Sequence, residues 1–366
     1  MSRRRQSRQI KLNNVAVGGG APVTVQSMTN TDTRAAAATL KQINELAASG
    51  CDIIRCAVPD EAAVSSMKEI CAESPIPVIA DIHFDYRLAL GVISSGAHAI
   101  RLNPGNIGGP ERVRQVAEAA GESGIPIRVG ANAGSISKSL LSELRTDGMN
   151  THDSIVEGLV RSALEQCRLL EDFGFKDIKV ALKASEVTAT VEACRRFAAE
   201  TDYPLHLGVT EAGTPARGIV KSSVGIGALL LDGIGDTIRV SLTADPVEEV
   251  LCGIRILEAC GLREARPEIV SCPTCGRTEI ELIALAERVE KIVNTLKASG
   301  KILELNKIAV MGCVVNGPGE ARDADLGIAG ASGDKVAIFK YGKTVGVFPQ
   351  EEGFERLKAE ILSFSH

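Results

Sequence analysis

"RAAAATLKQINELAASGCDIIRCAV", residues 34–58, carries two periodicities joined by one glycine. Up to Ser49 the apolar residues Leu40, Ile43 and Ala47 recur at helical spacing, and Gly50 is the residue that ends helices most readily. From Ile53 the chain becomes a short β-branched run ending on a cation, Arg55. The same unit recurs along the chain. "VTVQSM" (23–28), "IIRCAV" (53–58), "PVIADIHF" (77–84) and "AIRLNPG" (99–105) read as strands. "PIRVGANAG" (126–134), "DIKVALKAS" (177–185), "LHLGVTEAG" (205–213) and "TIRVSLTADP" (237–246) continue the series, with amphipathic stretches such as "PERVRQVAEAAGESG" (110–124) between them. Eight β-α units in this span predict an α/β TIM barrel, (β/α)8, rather than a doubly wound open sheet. "IKLNNVAVGGGAP" (10–22) reads as a hairpin plugging the barrel floor.

After "PVEEVLCGIRILEACG" (246–261) the pattern changes. A strand at 267–273, a long helix at 278–299, a strand at 306–312, a hairpin at 335–349 and a final helix at 350–364 predict a small α+β domain. The expected division is 1–265 for the barrel and 266–366 for the second domain. A chain of 366 residues is long enough for both.

Composition excludes several function classes. The net charge is −5, and no Trp, three Tyr and eight Phe leave little for stacking on bases, so nucleic acid is not the expected partner. The basic start, "MSRRRQSRQ", reads as a frayed, solvated tail. No apolar segment follows it and none elsewhere reaches membrane-spanning length, so the expectation is a cytoplasmic protein without a disulfide framework. Of ten cysteines, Cys51, Cys56, Cys71, Cys167, Cys194, Cys252 and Cys260 read as small buried hydrophobes.

Two constellations remain. In a TIM barrel chemistry sits where strands end, and here those ends carry Arg55, Arg101, Arg128, Lys183 and Arg239. Five cations at one mouth call for an anion, and forked guanidinium groups suit phosphate oxygens. Asp81 with His83, Arg101 with Asn103 and Arg239 with Ser241 share a strand face at i, i+2. Glu211 and His83 are candidates for proton work. No Walker A or dinucleotide fingerprint is present. The second constellation is "SCPTCGR" (271–277) with "MGCVVNGPGE" (311–320). Cys272, Cys275 and Cys313 give three thiolates, and the only histidine beyond residue 206 is His366. That set suits a [4Fe–4S] cluster better than structural zinc, with Glu320 as an exchangeable fourth ligand and Asn316 held beside it by the stiff turn.

"PTCGR", "GCVVNGPGE", "QSMTNTDT" (26–33), "HLGVTEAG" (206–213) and "GDTIRVSLTADPVEE" (235–249) resemble the 4-hydroxy-3-methylbut-2-en-1-yl diphosphate synthases in their bacterial two-domain form. The resemblance implies reductive ring opening and dehydration of 2-C-methyl-D-erythritol 2,4-cyclodiphosphate. It further implies a cluster held by Cys272, Cys275, Cys313 and Glu320, and a diphosphate held by Arg55, Arg101, Arg128, Lys183, Arg239 and Ser241, with Asn103 and Asn132 helping. Electrons would come from flavodoxin or ferredoxin, and the active sites would be shared across a homodimer. Two rivals share parts of this pattern: a barrel transferase acting on a pterin diphosphate, with a zinc domain attached, and a non-enzymatic zinc-ribbon module on a barrel scaffold.

Overall fold

The computed structural model describes residues 4–264, 267–299, 301–313 and 323–366. It divides into two compact units, Met1–Arg263 and Glu264–His366.

The first unit opens with the antiparallel pair β1 (Ile10–Leu12) and β2 (Val15–Val17). Eight parallel strands follow: β3 (Thr24–Met28), β4 (Ile53–Ala57), β5 (Val78–Asp81), β6 (Ala99–Arg101), β7 (Ile127–Asn132), β8 (Ile178–Lys183), β9 (His206–Leu207) and β10 (Thr237–Ile238). Their order is β8-β7-β6-β5-β4-β3-β10-β9, and a Val180–Leu205 bridge joins the two ends of that row into a barrel. The helices are α1 (Ala36–Ala48), α2 (Glu61–Glu73), α3 (Tyr86–Ser94), α4 (Pro110–Glu122), α5 (Lys138–Thr146), α6 (Thr151–Glu171), α7 (Val187–Glu200), α8 (Pro215–Leu231) and α9 (Pro246–Ala259). Asp60, Asp85, Asn150 and Asp245 cap α2, α3, α6 and α9 through their side chains, so four of the loops leaving the mouth are pinned where each helix starts.

Alternation along each strand sorts its side chains. Ile54, Ile100, Ile127 and Val180 face outward into the helix-covered core. Inward-facing positions stack in layers of four drawn from alternate strands, as barrel geometry requires. Register puts Ile53, Ala99, Lys179 and Thr237 in the lowest layer and Gln26, Ile79, Arg128 and His206 above it. Arg55, Arg101, Ala181 and Arg239 form the third. The β1–β2 hairpin seals the floor: Ile10, Leu12 and Val17 pack on Ile53, Ile79 and Ala99, as its sequence led us to expect. Burying Leu12 completely stabilises the barrel by roughly 1.5–3 kcal/mol.

The basic start corrects an expectation. Arg4 donates to the Ala21 carbonyl at 2.5 Å and lies 3.3 Å from Asp236, while Arg5 donates to the carbonyls of Thr201 and Tyr203 at 2.7 and 2.9 Å. Arg8 pairs with Asp202 and lies over the Tyr203 ring. These arginines latch the chain to the barrel floor because strand-end carbonyls and carboxylates there need donors.

The second unit holds β11 (Glu268–Ser271), α10 (Leu282–Ala298), β12 (Lys307–Met311), β13 (Leu326–Ala331), β14 (Lys335–Lys340), β15 (Lys343–Pro349) and α11 (Gln350–Ser363). The sheet runs in chain order, β11 to β13 parallel and the last two strands antiparallel. Tyr341 and Gly342 both have positive φ, which suits the right-twisted two-residue hairpin turn. Both helices contribute to one apolar core with the sheet, through Leu285, Val289, Phe354 and Leu357.

Candidate active site

The barrel strands from β4 to β10 each deliver a polar side chain, from the strand or just beyond its end, to one hollow of about 150 Å³. Its lining is Arg55, Asp81, His83, Arg101, Arg128, Asn132, Lys183, Thr210, Arg239 and Ser241. The sequence-predicted mouth is thus assembled almost whole. A larger hollow of about 400 Å³ lies along α5, lined only by residues of that helix, and brings no reactive groups together.

Asp81 is the hinge of the charge network. Its carboxylate lies 3.2 Å from Arg101 Nη1, 3.6 Å from Arg55 Nε and 3.6 Å from His83 Nε2. Burial alone would raise its pKa, yet the neighbouring His83 ring and the Arg55, Arg101 and Arg128 charges hold it well below the usual carboxylate range. Arg55 also donates to Met28 Sδ at 2.9 Å. On the opposite wall Arg239 lies 3.7 Å from Glu249, whose other oxygen accepts the Leu242 N–H at 2.8 Å. Burial pushes the Glu249 carboxyl up, against the pull of Arg239.

Two carboxylates therefore face five cations: Arg55, Arg101, Arg128, Lys183 and Arg239. Burial pushes Lys183 well below an ordinary lysine, and Arg128, Arg239 and Arg55 push further in the same direction. Arg128 is enclosed the same way, and its Nε and Nη1 have no hydrogen-bond partner among the described residues. A guanidinium does not deprotonate in a protein. Buried repulsion of this kind is relieved by an incoming anion.

Two expected residues are placed differently. Asn103 is outside the lining, its amide oxygen accepting the Gly105 N–H at 3.0 Å. Glu211 is exposed with φ +52, one residue beyond Thr210. A left-handed glutamate is strained, and such strain concentrates at functional turns. Sequence reading missed Glu249 and Thr210 as site residues. Each stood inside a motif already singled out, Glu249 at the end of "GDTIRVSLTADPVEE" and Thr210 beside Glu211. Gly208 belongs with them: a Cβ there would lie 2.5 Å from the Arg239 carbonyl and 2.8 Å from Lys183 Nζ.

In the second unit the parallel pairing of Ser271 with Val310 sets Cys272 beside the exit of β12, two residues short of Cys313. Gly312 ties the cysteines together. Its N–H donates to Cys272 Sγ at 3.1 Å, and its carbonyl accepts the Glu279 N–H at 3.1 Å. The Cys275 turn is closed by Thr278, whose hydroxyl oxygen accepts the Cys275 N–H at 3.1 Å. Cys275 is exposed, Cys272 partly so and Cys313 buried. Among the described residues no three acidic, histidine or cysteine side chains close on a single metal ion. A cluster spreads its thiolates over several irons, and three thiols around strand ends, one already accepting an amide N–H, fit that donor set. Asn316 and Glu320 lie outside the described residues.

Residues 7–254 match the GcpE TIM-barrel domain, and residues 268–363 match the GcpE protein C-terminal domain. The chain belongs to the GcpE family. A 4-hydroxy-3-methylbut-2-en-1-yl diphosphate synthase (flavodoxin) of Geobacter sulfurreducens is 54% identical over 356 residues, covering 97% of this chain and 97% of the relative. One from Clostridium acetobutylicum is 52% identical over 356 residues, with 97% and 98% covered. One from Dehalococcoides mccartyi is 50% identical over 363 residues, with 99% and 100% covered. Like these GcpE relatives, the chain is a TIM-barrel oxidoreductase of isoprene biosynthesis. Among the described residues no helix is long and apolar enough to cross a membrane.

Proposed function

We propose that the barrel mouth binds 2-C-methyl-D-erythritol 2,4-cyclodiphosphate and that the chain opens and dehydrates it to 4-hydroxy-3-methylbut-2-enyl diphosphate. The observation that carries this is the charge imbalance of the mouth, five enclosed cations against Asp81 and Glu249. Each phosphorus of the substrate carries one strongly acidic oxygen, so it enters as a compact dianion of the sign and size the mouth lacks. Arg55, Arg101, Arg128, Lys183 and Arg239 would take its phosphate oxygens, with Ser241 and Asn132 at the rim. Asp81 fixes the directions of Arg55 and Arg101, and Glu249 that of Arg239. The ring C–O bond breaks, the hydroxyl departs as water, and two electrons with two protons balance the change. His83 Nε2 and the Glu211 carboxylate are the groups we assign to carrying those protons.

Cys272, Cys275, Cys313 and Glu320 would hold a [4Fe–4S] cluster, which when bound supplies electrons one at a time. The donor we propose is flavodoxin, which the relatives' names carry, docking transiently in the cytoplasm. The second copy of this chain is the partner we propose for completing the site. Val220, Val224 and Leu231 form an exposed apolar stripe on α8 that such a dimer could cover.

The test is iron, acid-labile sulfide and zinc per chain on anaerobically prepared protein, followed by reduction of the cyclodiphosphate with a flavodoxin system. About four irons and four sulfides with turnover support the reading. One zinc, no sulfide and no turnover would return the pterin-type transferase to consideration.

A further inference from the structure

Beneath the mouth the barrel holds polar groups that substrate contact does not use. Lys179 lies in the lowest layer, 1% exposed, and its Nζ has no hydrogen-bond partner among the described residues. Above it Gln26 Nε2 and Oε1 and His206 Nε2 are likewise buried and unpartnered, while His206 Nδ1 is taken by Thr237 at 2.6 Å. Below, the hairpin closes the floor with Ile10, Leu12 and Val17. The charges acting on Lys179 are Arg128, its register partner on β7, Arg55 on β4, and Asp236 just before β10. From β9 the facing titratable group is His206, which burial and the surrounding cations keep well below its ordinary pKa and hence neutral; β3 offers only the uncharged Gln26 and Thr24. Asp236 is already committed to Ser7 Oγ at 2.9 Å, the Leu205 N–H at 2.9 Å and Arg4 at 3.3 Å. A full charge on Lys179 therefore has two repelling neighbours and only a shared carboxylate.

We propose that Lys179 is a positioning residue, uncharged in the free protein, that takes up a proton when the dianion fills the mouth, so that substrate capture is coupled to protonation of the barrel's lowest layer. This rests on the function proposed above. The bond formed is N–H at Nζ and the proton comes from the buffer. No oxidant or reductant is involved. The physical reason is relief of repulsion: phosphate oxygens neutralise Arg55 and Arg128, after which charge on Lys179 is no longer opposed. Burial, with the Arg128 charge behind it, lowers Lys179 to about 7 in the free protein. It is therefore ready to titrate near neutral pH. Once charged, it pushes Arg128 from below toward the phosphate.

The experiment is calorimetric titration of the oxidised holoenzyme with the cyclodiphosphate at about pH 8, in buffers of different ionisation enthalpy. The substrate is fully ionised there, so any proton taken up enters the protein. Wild type should take up a net proton, and its affinity should weaken from about pH 7 to about pH 9. K179M should take up roughly half a proton less or lower still, with a flatter pH profile, whatever Lys183 contributes to both. Equal proton counts and equal pH slopes in the two proteins overturn the proposal. Failure of the cyclodiphosphate to bind either protein would sink the function reading instead, and the melting midpoint of the unliganded holoenzyme then decides. K179M should raise that midpoint more at about pH 7 than at about pH 10, where the lysine of the unfolded chain is nearing its own pKa and less protonation is lost on folding. An equal shift at both pH values overturns the neutral Lys179.

Discussion

Replacing Gly330 with alanine strikes the second domain where its cysteines meet. Gly330 lies on β13, and a Cβ built on it would stand 2.3 Å from the Gly312 carbonyl oxygen and 2.9 Å from the Gly312 carbonyl carbon. Both are backbone atoms, so no side chain can swing aside. Restoring ordinary contact requires β12 and β13 to part by about 1 Å, and overpacking of that order costs about 1–3 kcal/mol. The movement also draws the Gly312 N–H off Cys272 Sγ and the Gly312 carbonyl off Glu279, each worth about 0.5–1.5 kcal/mol. The sum, about 2–6 kcal/mol, compares with a whole-domain stability of about 5–15 kcal/mol. The domain should still fold, with its cysteine geometry spoiled. We expect G330A to be expressed as soluble protein whose iron and sulfide fall to less than half those of wild type after identical reconstitution. Binding of the cyclodiphosphate to the barrel should change by less than about three-fold. G330A with full iron and sulfide and an unshifted melting curve would show that the Gly312 contact does not organise the cysteines.

Other perturbations separate mouth, floor and latch. G208A should raise KM for the cyclodiphosphate at least about ten-fold with iron content unchanged, because the new methyl meets the Arg239 carbonyl and Lys183 Nζ; unchanged steady-state kinetics would refute the tight β9–β10 approach. D81N removes the buried counter-charge of Arg55 and Arg101 and should cost about 3–5 kcal/mol in the free protein. Saturating cyclodiphosphate should recover part of that loss in thermal shift, and no recovery would argue against anion relief of the mouth. E249A should lower substrate affinity by freeing Arg239 while leaving iron and sulfide content unchanged, checked by calorimetry alongside iron analysis. Removing residues 1–8 should lower the melting midpoint, since Arg4, Arg5 and Arg8 hold floor carbonyls and carboxylates together; an unchanged midpoint would return the arm to a solvated tail.

The barrel was legible because period and punctuation repeat eight times, and each repeat reinforces the last. The strands up to Lys183, and the helices read at 34–50 and 110–124, fall where alternation and glycine stops put them. β9 and β10 shrink to two residues each, since Gly208 brings the chain against the Arg239 backbone and the ladder gives way to single bonds such as Arg239 N–H to Leu207 carbonyl. β13 escaped notice for a related reason. "LGIAGA" lacks the β-branched density of a strand, because Gly330 must be small where Gly312 crosses it. The mouth cations could be read from their strand ends. Glu249 could not, since its role depends on a helix turning back to Arg239, which no local pattern records. The arginine latch was misread for the converse reason: a run of like charges looks solvated until the floor carbonyls that receive it are known.

The deepest residue of the barrel bears on why the mouth is so cationic. A hollow lined by five cations could be balanced permanently by more carboxylates, as Asp81 and Glu249 do in part. Full balance would leave no field for the substrate. Leaving part of the charge unmet, and letting the buried lysines rather than the arginines give up protons, keeps the free barrel tolerable without spending the attraction in advance. Guanidinium groups then do the positioning, since their charge is fixed, and amines adjust, since theirs is not. Arg128 and Lys179 sit side by side on β7 and β8 in this division of roles. Exchanging their chemistry should therefore not be neutral: lysine at position 128 would lose the fork that meets phosphate, and arginine at 179 would bury a charge that cannot leave.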